Sequence, residues 1–253
     1  MSASHSSLEG EGILYVATGK AHVIAAVRSA ESAAEQSPGL RRHLFCDGPS
    51  LEHLPSGVFD SVGEVENPHV RSKVDCLVRT PFERTLFLDA DTKIVHPIED
   101  VFLLLERFDI ALAHAPRRNC RETRERWRAD IPDAFPQMNS GVIAFRSRPA
   151  VLALLDEWSI AYREAGIKKD QTTLRELLWL SDLRIATLPP EYNVKLRKYI
   201  DSVWEEWEAK PRILHLRSLV VRRPRVKTWH DKLPWGLSHA ARFGRDLRKS
   251  ITR

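Results

Sequence analysis

The strongest constraint on this chain is its alternation of short apolar runs with longer stretches of helical periodicity. Residues 13–18 (ILYVAT), 43–46 and 85–88 read as buried strands, with a weaker one at 59–65. Between them, residues 23–36 are Ala-rich at helical spacing and stop at Pro38-Gly39, and residues 72–79 read as a helix ended before Pro81. Further on, the spacing predicts helices over 98–108, 151–162 and 170–179. Strands are predicted over 110–114, 141–145, 183–188 and 213–216. Such alternation implies an α/β fold with a mixed, mostly parallel sheet flanked by helices. Ligands of these sheets collect at the carboxyl ends of the strands. Three polar clusters fall at or beside strand ends: Thr18-Gly19, Asp89-Ala90-Asp91 and His215.

Composition narrows the class. Of 253 residues, 43% are hydrophobic and 29% charged, enough to build a globular core. No apolar run approaches the ~20 residues that span a bilayer. Residues 1–12 are polar and lack the apolar stretch of a signal peptide, so they read as a disordered leader. Cys46, Cys76 and Cys120 are far apart with no CxxC spacing. That argues against a disulfide framework or a zinc site and points to reduced thiols in a cytoplasmic protein. Residues 117–136 are Arg-rich, with Trp127 and Pro132, and read as an insertion over the sheet.

The chemistry is concentrated in TLFLDADTKIV, residues 85–95. An apolar strand delivers two carboxylates, Asp89 and Asp91, into the loop at its end. Two hard oxygen ligands at i and i+2 suit Mn²⁺ or Mg²⁺, which bridges a diphosphate and stabilises it as a leaving group. Ordinary loop or capping aspartates are an alternative. The string DADT also matches the DxDxT motif of haloacid-dehalogenase-type phosphatases, in which Asp89 would be a nucleophile and Asp91 the acid/base. That motif normally closes the first strand of its domain, whereas a strand–helix–strand unit precedes it here.

Four further strings follow in order: MNSGVIAFR (138–146), KDQTTL (169–174), LPPEYNV (188–194) and ILHLR (213–217). Together with the DxD they resemble the glycogenin-like retaining glycosyltransferases and their bacterial galactosyltransferase relatives, which have the GT-A fold. The resemblance spans residues 13–217. It implies transfer of a hexose from a UDP-sugar to an acceptor hydroxyl with retention of configuration. It also implies roles by position. Ala17, Thr18 and Gly19 would line the nucleotide base and ribose, and Lys73, in RSKVDCL, would lie near the donor diphosphate or sugar. Asp89, Ala90 and Asp91 would meet the donor, with His215 joining the two aspartates as third metal ligand. Asn139 and Ser140 would line the sugar pocket, Asp170 and Gln171 would face the anomeric carbon, and Asn193 would lie on the acceptor side. Each has a plainer alternative: a structural histidine, a turn at Asn139-Ser140-Gly141, a helix N-cap at Asp170. The sequence departs from the family where a Gly and a Lys follow the histidine; Ser218 and Val221 stand there, and Arg217, Arg222 or Arg223 would have to supply the phosphate-binding charge. Ile167 stands where an acidic residue is frequent.

The remaining charge is polarised. Residues 212–253 hold 12 Lys+Arg against 2 Asp+Glu, a net of +10, which leaves −5 of the overall +5 for residues 1–211. At about 100° per residue, Ala240, Phe243, Leu247 and Ile251 share one helical face, while Arg242, Arg245, Lys249 and Arg253 share the other. Trp229 and Trp235 precede them. Residues 218–253 therefore read as a basic amphipathic extension that attaches to anionic lipid or packs on the body. The basic residues lack the interleaved aromatics of a nucleic-acid site, so none is expected. The expected partners are a nucleotide-sugar donor, a saccharide, lipid-linked or protein acceptor, and the inner face of a membrane reached peripherally from the cytoplasm.

Overall fold

The computed structural model describes residues 10–116, 123–195, 210–217 and 220. Nine strands are found among them: β1 (Glu11–Val16), β2 (Arg41–Cys46), β3 (Ser61–Glu64), β4 (Arg84–Leu88), β5 (Thr92–Ile94), β6 (Ile110–His114), β7 (Met138–Arg146), β8 (Ile185–Thr187) and β9 (Ile213–His215). The α-helices are α1 (Lys20–Gln36), α2 (Lys73–Cys76), α3 (Val101–Leu104), α4 (Pro149–Ala165) and α5 (Asp170–Leu180). Seven strands form one sheet in the order β3-β2-β1-β4-β7-β6-β8, and β5 and β9 form a separate two-stranded ribbon.

Pairing is parallel from β3 through β2 and β1 to β4, and again between β6 and β8. Only β7 runs against its neighbours, β4 on one side and β6 on the other. The sheet is therefore mixed and mostly parallel, as the alternation of elements predicts. Successive side chains along each central strand point to opposite faces. Ile13, Tyr15, Leu86, Leu88, Val142 and Ala144 pack beneath the alanine-rich face of α1 and beside Phe102 of α3. Leu14, Phe87, Ile143 and Phe145 face the other way, against Val74, Trp158 and Leu174 from α2, α4 and α5. Each face is thus sealed by helices, and the polar groups are left to the strand ends.

Three predicted elements differ. The helix expected over 98–108 is a single turn, α3, because Leu105–Phe108 close in turns instead of extending it. The strand expected from Gly141 begins three residues earlier, at Met138. The strand around His215 lies outside the main sheet, antiparallel to β5, with Thr92 opposite His215 and Ile94 opposite Ile213. β5 itself has only three residues and no periodicity long enough to read. The segment 92–98 is held instead by serines of α1 and its C-cap: Ser29 Oγ meets Thr92 Oγ1 at 2.7 Å, Ser32 Oγ accepts the Ile94 N–H at 3.0 Å, and Ser37 Oγ accepts the Ile98 N–H at 3.1 Å. These buried hydroxyls satisfy a loop that would otherwise bury unpaired amides.

From residue 123 onward, the Arg-rich insertion is anchored on α5. The buried Arg175 guanidinium donates to the carbonyls of Phe135 (2.9 Å from Nε) and Pro132 (3.0 Å), and Glu176 accepts the Arg128 N–H at 2.9 Å. Cys46 and Cys76 are buried free thiols. The leader, Cys120 and the basic extension lie outside the described residues, apart from Gly10–Gly12 and Val220; Glu11 and Gly12, expected in a disordered leader, instead open β1. Among the described residues no helix is long and apolar enough to cross a membrane.

One buried group makes stability depend on pH. His43, on β2, is paired through Nδ1 with Ser61 Oγ at 2.7 Å, while its Nε2 is buried without a partner. Burial, helped by the positive charge of Arg79, lowers its pKa from 6.5 to about 4. The unfolded chain then takes up a proton before the folded one. Stability is full above pH 6.5 and falls as pH drops toward 4, by up to about 3 kcal/mol. His43→Asn keeps a polar partner for Ser61 without titrating. Its melting temperature should change less between pH 7 and pH 4.5 than that of the wild type.

Candidate active site

β4 ends at Leu88, and Asp89 is the next residue. Because β7 runs antiparallel, its first residues lie at this same edge of the sheet, and the Asp89 N–H donates to the Gly141 carbonyl at 2.8 Å. A parallel strand would have carried Asn139 and Ser140 to the opposite edge. The loop after Asp89 is closed by Thr92, whose Oγ1 donates to the Asp89 carbonyl at 2.8 Å. Ribbon β5–β9 then returns His215 over this loop, and the Leu216 N–H donates to the Asp91 carbonyl at 2.9 Å. On the far side of β9, Val194 bridges to Leu214, which sets Asn193 and Lys195 beside His215.

The result is a convergence of three ligand-bearing side chains. One ligand atom each from Asp89, Asp91 and His215 lies within 4.8 Å of the others. His215 Nε2 is 2.9 Å from Asp91 Oδ1 and 3.5 Å from Asp89 Oδ2. The tautomer of His215 follows from its neighbours. The Gly141 N–H and Asn193 Nδ2 both donate to Asn139 Oδ1, at 3.1 and 2.9 Å. A backbone N–H can only donate, so this end of Asn139 is its oxygen, and Asn193 must present its own oxygen to His215 Nδ1, 2.8 Å away. Nδ1 therefore carries a proton, and Nε2 is the ring nitrogen that faces the two carboxylates. Lys195 Nζ lies 2.7 Å from that Nε2.

Behind the aspartates is a buried charge network. Lys73 Nζ donates to Asp89 Oδ1 (3.0 Å), to the Ser140 carbonyl (2.8 Å) and to Ser140 Oγ (3.1 Å), which uses its three N–H groups. It is also 3.5 Å from Asp170 Oδ2. The Ser140 hydroxyl donates to that same oxygen at 2.6 Å, and Arg71 Nε stands 3.2 Å from Asp170 Oδ1. Burial works against the Lys73 ammonium, but Asp89 and Asp170 outweigh it and raise its pKa. Burial likewise works against charge on Asp89; Lys73, His215 and Lys195 outweigh it and hold this carboxyl far below the usual range. Asp91 is lowered in the same way, chiefly by His215.

The remaining predicted residues are placed as follows. Tyr15 stands beside Leu88 in the sheet, so Ala17, Thr18 and Gly19 leave it at the edge that carries Asp89. Gly19 has φ 77°, a conformation L side chains avoid, and its N–H donates to Asp47 Oδ1 at 2.7 Å. Ala90 is buried under α1. Asp170 begins α5 and is preceded by Lys169 at the N-cap, so it is buried in the network and does not cap the helix. Gln171 is the next residue and half-buried. Asn139 and Asn193, expected at the sugar and on the acceptor side, are bonded to each other. Lys195, Arg71 and Asp47 escaped the sequence reading. Lys195 had a signal: it stands two residues after Asn193 in extended chain, and alternate residues of a strand share a face.

Gly141 is what lets these groups close up. A Cβ there would lie 2.0 Å from His215 Cε1 and 2.6 Å from Asp89 Oδ2. Gly141→Ala must displace the imidazole or the carboxylate, and such overpacking costs about 1–3 kcal/mol. A lowered melting temperature, with a shifted His215 ring resonance in NMR spectra, is the expected result.

No protein-family profile matches the sequence, and neither does any curated protein. The structure is similar to that of the galactosyltransferase LgtC solved with donor and acceptor sugar analogues. That match has 13% identity and a TM-score of 0.59, over 88% of this chain and 100% of that one. Mouse xyloside xylosyltransferase 1 matches at 16% identity and a TM-score of 0.54, over 81% and 97% of the two chains. The glycosyltransferase GlyE of Streptococcus pneumoniae TIGR4 matches at 15% and 0.54, over 81% and 54%. The phosphatase reading of DADT finds no support: Asp89 follows the fourth strand, and the Thr92 hydroxyl is spent on the Asp89 carbonyl. The chain has the GT-A fold of these glycosyltransferases.

Proposed function

We propose that this protein is a metal-dependent glycosyltransferase that moves a hexose from a UDP-sugar to an acceptor hydroxyl with retention of configuration. The observation that carries this reading is the convergence of Asp89, Asp91 and His215 at the carboxyl-end edge of a GT-A sheet. Two carboxylate oxygens and an imidazole lone pair form a donor set suited to Mn²⁺ or Mg²⁺. When bound, the ion supplies Lewis-acid neutralisation of the leaving diphosphate.

The chain's own residues do the rest. Ala17, Thr18 and Gly19 receive the base and ribose at the neighbouring strand end. Lys73 fixes Asp89 through Oδ1, which leaves Oδ2 for the ion. Its three donors are already satisfied, so it acts on the donor through Asp89 and Ser140. Asn139 and Ser140 shape the sugar pocket, with Asn139 also orienting Asn193. Asp170 is braced by Ser140, Lys73 and Arg71, which suits a fixed negative charge near the anomeric carbon. Gln171, next in the chain, meets the sugar. Asn193, on the acceptor side, also orients His215. The acceptor is a saccharide, lipid-linked or protein hydroxyl. The basic extension would bring the enzyme to the inner face of a membrane from the cytoplasm.

Calorimetric titration with UDP tests the reading. Binding should require Mn²⁺ or Mg²⁺ and disappear in Asp91→Ala, with the circular dichroism spectrum unchanged. Metal-independent binding, or full binding by Asp91→Ala, would remove the metal assignment. Asn193→Ala frees the His215 ring to rotate and change tautomer. It should weaken Mn²⁺ binding by about 10–100-fold, the usual effect of losing an outer-shell partner.

A further inference from the structure

Asp47 is the first residue after β2, and the reading above gives it no role. It stands on the same edge of the sheet as Asp89, because β2, β1 and β4 run parallel. Val16 lies opposite Phe45, so β2 delivers Asp47 beside Thr18-Gly19. Two contacts fix its carboxylate. The Gly19 N–H and the buried Ser50 hydroxyl both donate to Oδ1, at 2.7 and 2.9 Å. They fill the two lone pairs of that oxygen. Among the described residues no other residue donates to Oδ2. The charge is also uncompensated. Asp89, Asp91 and Asp170 have Lys73, His215 and Arg71 within 4.0 Å, whereas Asp47 has no such partner among the described residues. A bare carboxylate repels phosphate and accepts from a neutral donor. Strand order says which part of a nucleotide can supply one. β1 lies between β4 and β2, so Asp47 is two strand spacings, about 10 Å, from the strand that ends at Asp89. With the diphosphate at Asp89 and Asp91 and the ribose beside Ala17–Gly19, the base is the part that reaches β2.

We propose that Asp47 reads the base of the donor nucleotide by accepting one N–H through Oδ2. The inference rests on the reading of Asp89, Asp91 and Ala17–Gly19 as the donor site. A single free oxygen selects the base. Uracil presents one N–H, at N3, between two carbonyls. Cytosine presents a bare acceptor nitrogen at that position, which a carboxylate repels. Guanine presents two adjacent N–H donors, which call for both oxygens of a carboxylate, and Oδ1 is already filled. The edge is therefore built for a uracil nucleotide. Asp47 is a specificity-determining residue that touches the base and takes no part in the transfer.

Calorimetric titration in the presence of Mn²⁺ compares UDP, CDP, 3-methyl-UDP and 2′-deoxy-UDP as ligands. Wild type should bind UDP roughly 10–100-fold more tightly than CDP or 3-methyl-UDP, the effect of one hydrogen bond to a charged group. This arm needs no variant to fold. Asp47→Asn keeps an oxygen for Gly19 and Ser50 and offers the base an N–H donor in place of Oδ2. It should lose affinity for UDP and gain affinity for CDP, so that the preference disappears or reverses. Removal of the ribose 2′-hydroxyl should have the same effect on wild type and on Asp47→Asn. A 2′-deoxy penalty that vanishes in Asp47→Asn would move the contact to the ribose and overturn the assignment to the base. Equal binding of UDP and CDP by wild type, or an unchanged preference in Asp47→Asn, would overturn the role of Asp47 and leave the donor site standing. No binding of any of the four by wild type would overturn both.

Discussion

The ammonium of Lys73 is the interaction on which the site depends. It is buried, and it joins Asp89 from the end of β4, Ser140 from β7 and Asp170 from the start of α5. Two carboxylates and a strand end from distant parts of the chain therefore share one charge. Desolvating such groups is costly, and removing one partner from a buried pair typically costs about 3–5 kcal/mol. The network is tolerable because the Ser140 hydroxyl donates to Asp170 and the Arg71 guanidinium places a second positive charge beside it. Its consequence is rigidity: Asp89 is held by one oxygen, so the direction of the other is fixed.

Rigidity is carried outward by hydrogen bonds of ordinary strength. The antiparallel entry of β7 puts the Gly141 carbonyl on the Asp89 amide and the Asn139 side chain within reach of Asn193. The serines of α1 and its C-cap hold the loop that follows Asp91, and β9 is paired to that loop alone among the named strands. A sequence of small polar contacts thus runs from the helix under the sheet to the imidazole of His215. None of them is large, each being worth about 1 kcal/mol net. Together they fix a geometry that propensity alone would leave open.

Much of this was legible in the sequence, for physical reasons. β1, β4 and β6 are short and mostly apolar, the mark of strands buried on both faces, and β2 shows only in its apolar end, Leu44–Cys46. α1, α4 and α5 have enough length for a 3.6-residue period to show. Asp89 and Asp91 stand out because they end an apolar strand at i and i+2 and four further strings follow them in order. α3 and β5 were not legible, since three or four residues carry no period. The position of β9 was hidden as well: nothing local to Ile213–His215 says whether it joins the main sheet or a ribbon. The placement of Asn139 and Ser140 came from resemblance, because strand direction cannot be read from a strand's own residues. Lys195 was passed over because its partner is twenty residues away in sequence. The pairing that makes them neighbours exists only after β9 has docked.

The ribbon also has a meaning for synthesis. The sheet from β1 to β8 and its covering helices are complete in the chain before β9 has been translated. His215 is therefore the last of the three convergent side chains to leave the ribosome, and the strand carrying it docks onto a loop already held in place by α1. Until then the two aspartates lack their third neighbour, and the nascent protein has its sheet but not the convergence of Asp89, Asp91 and His215.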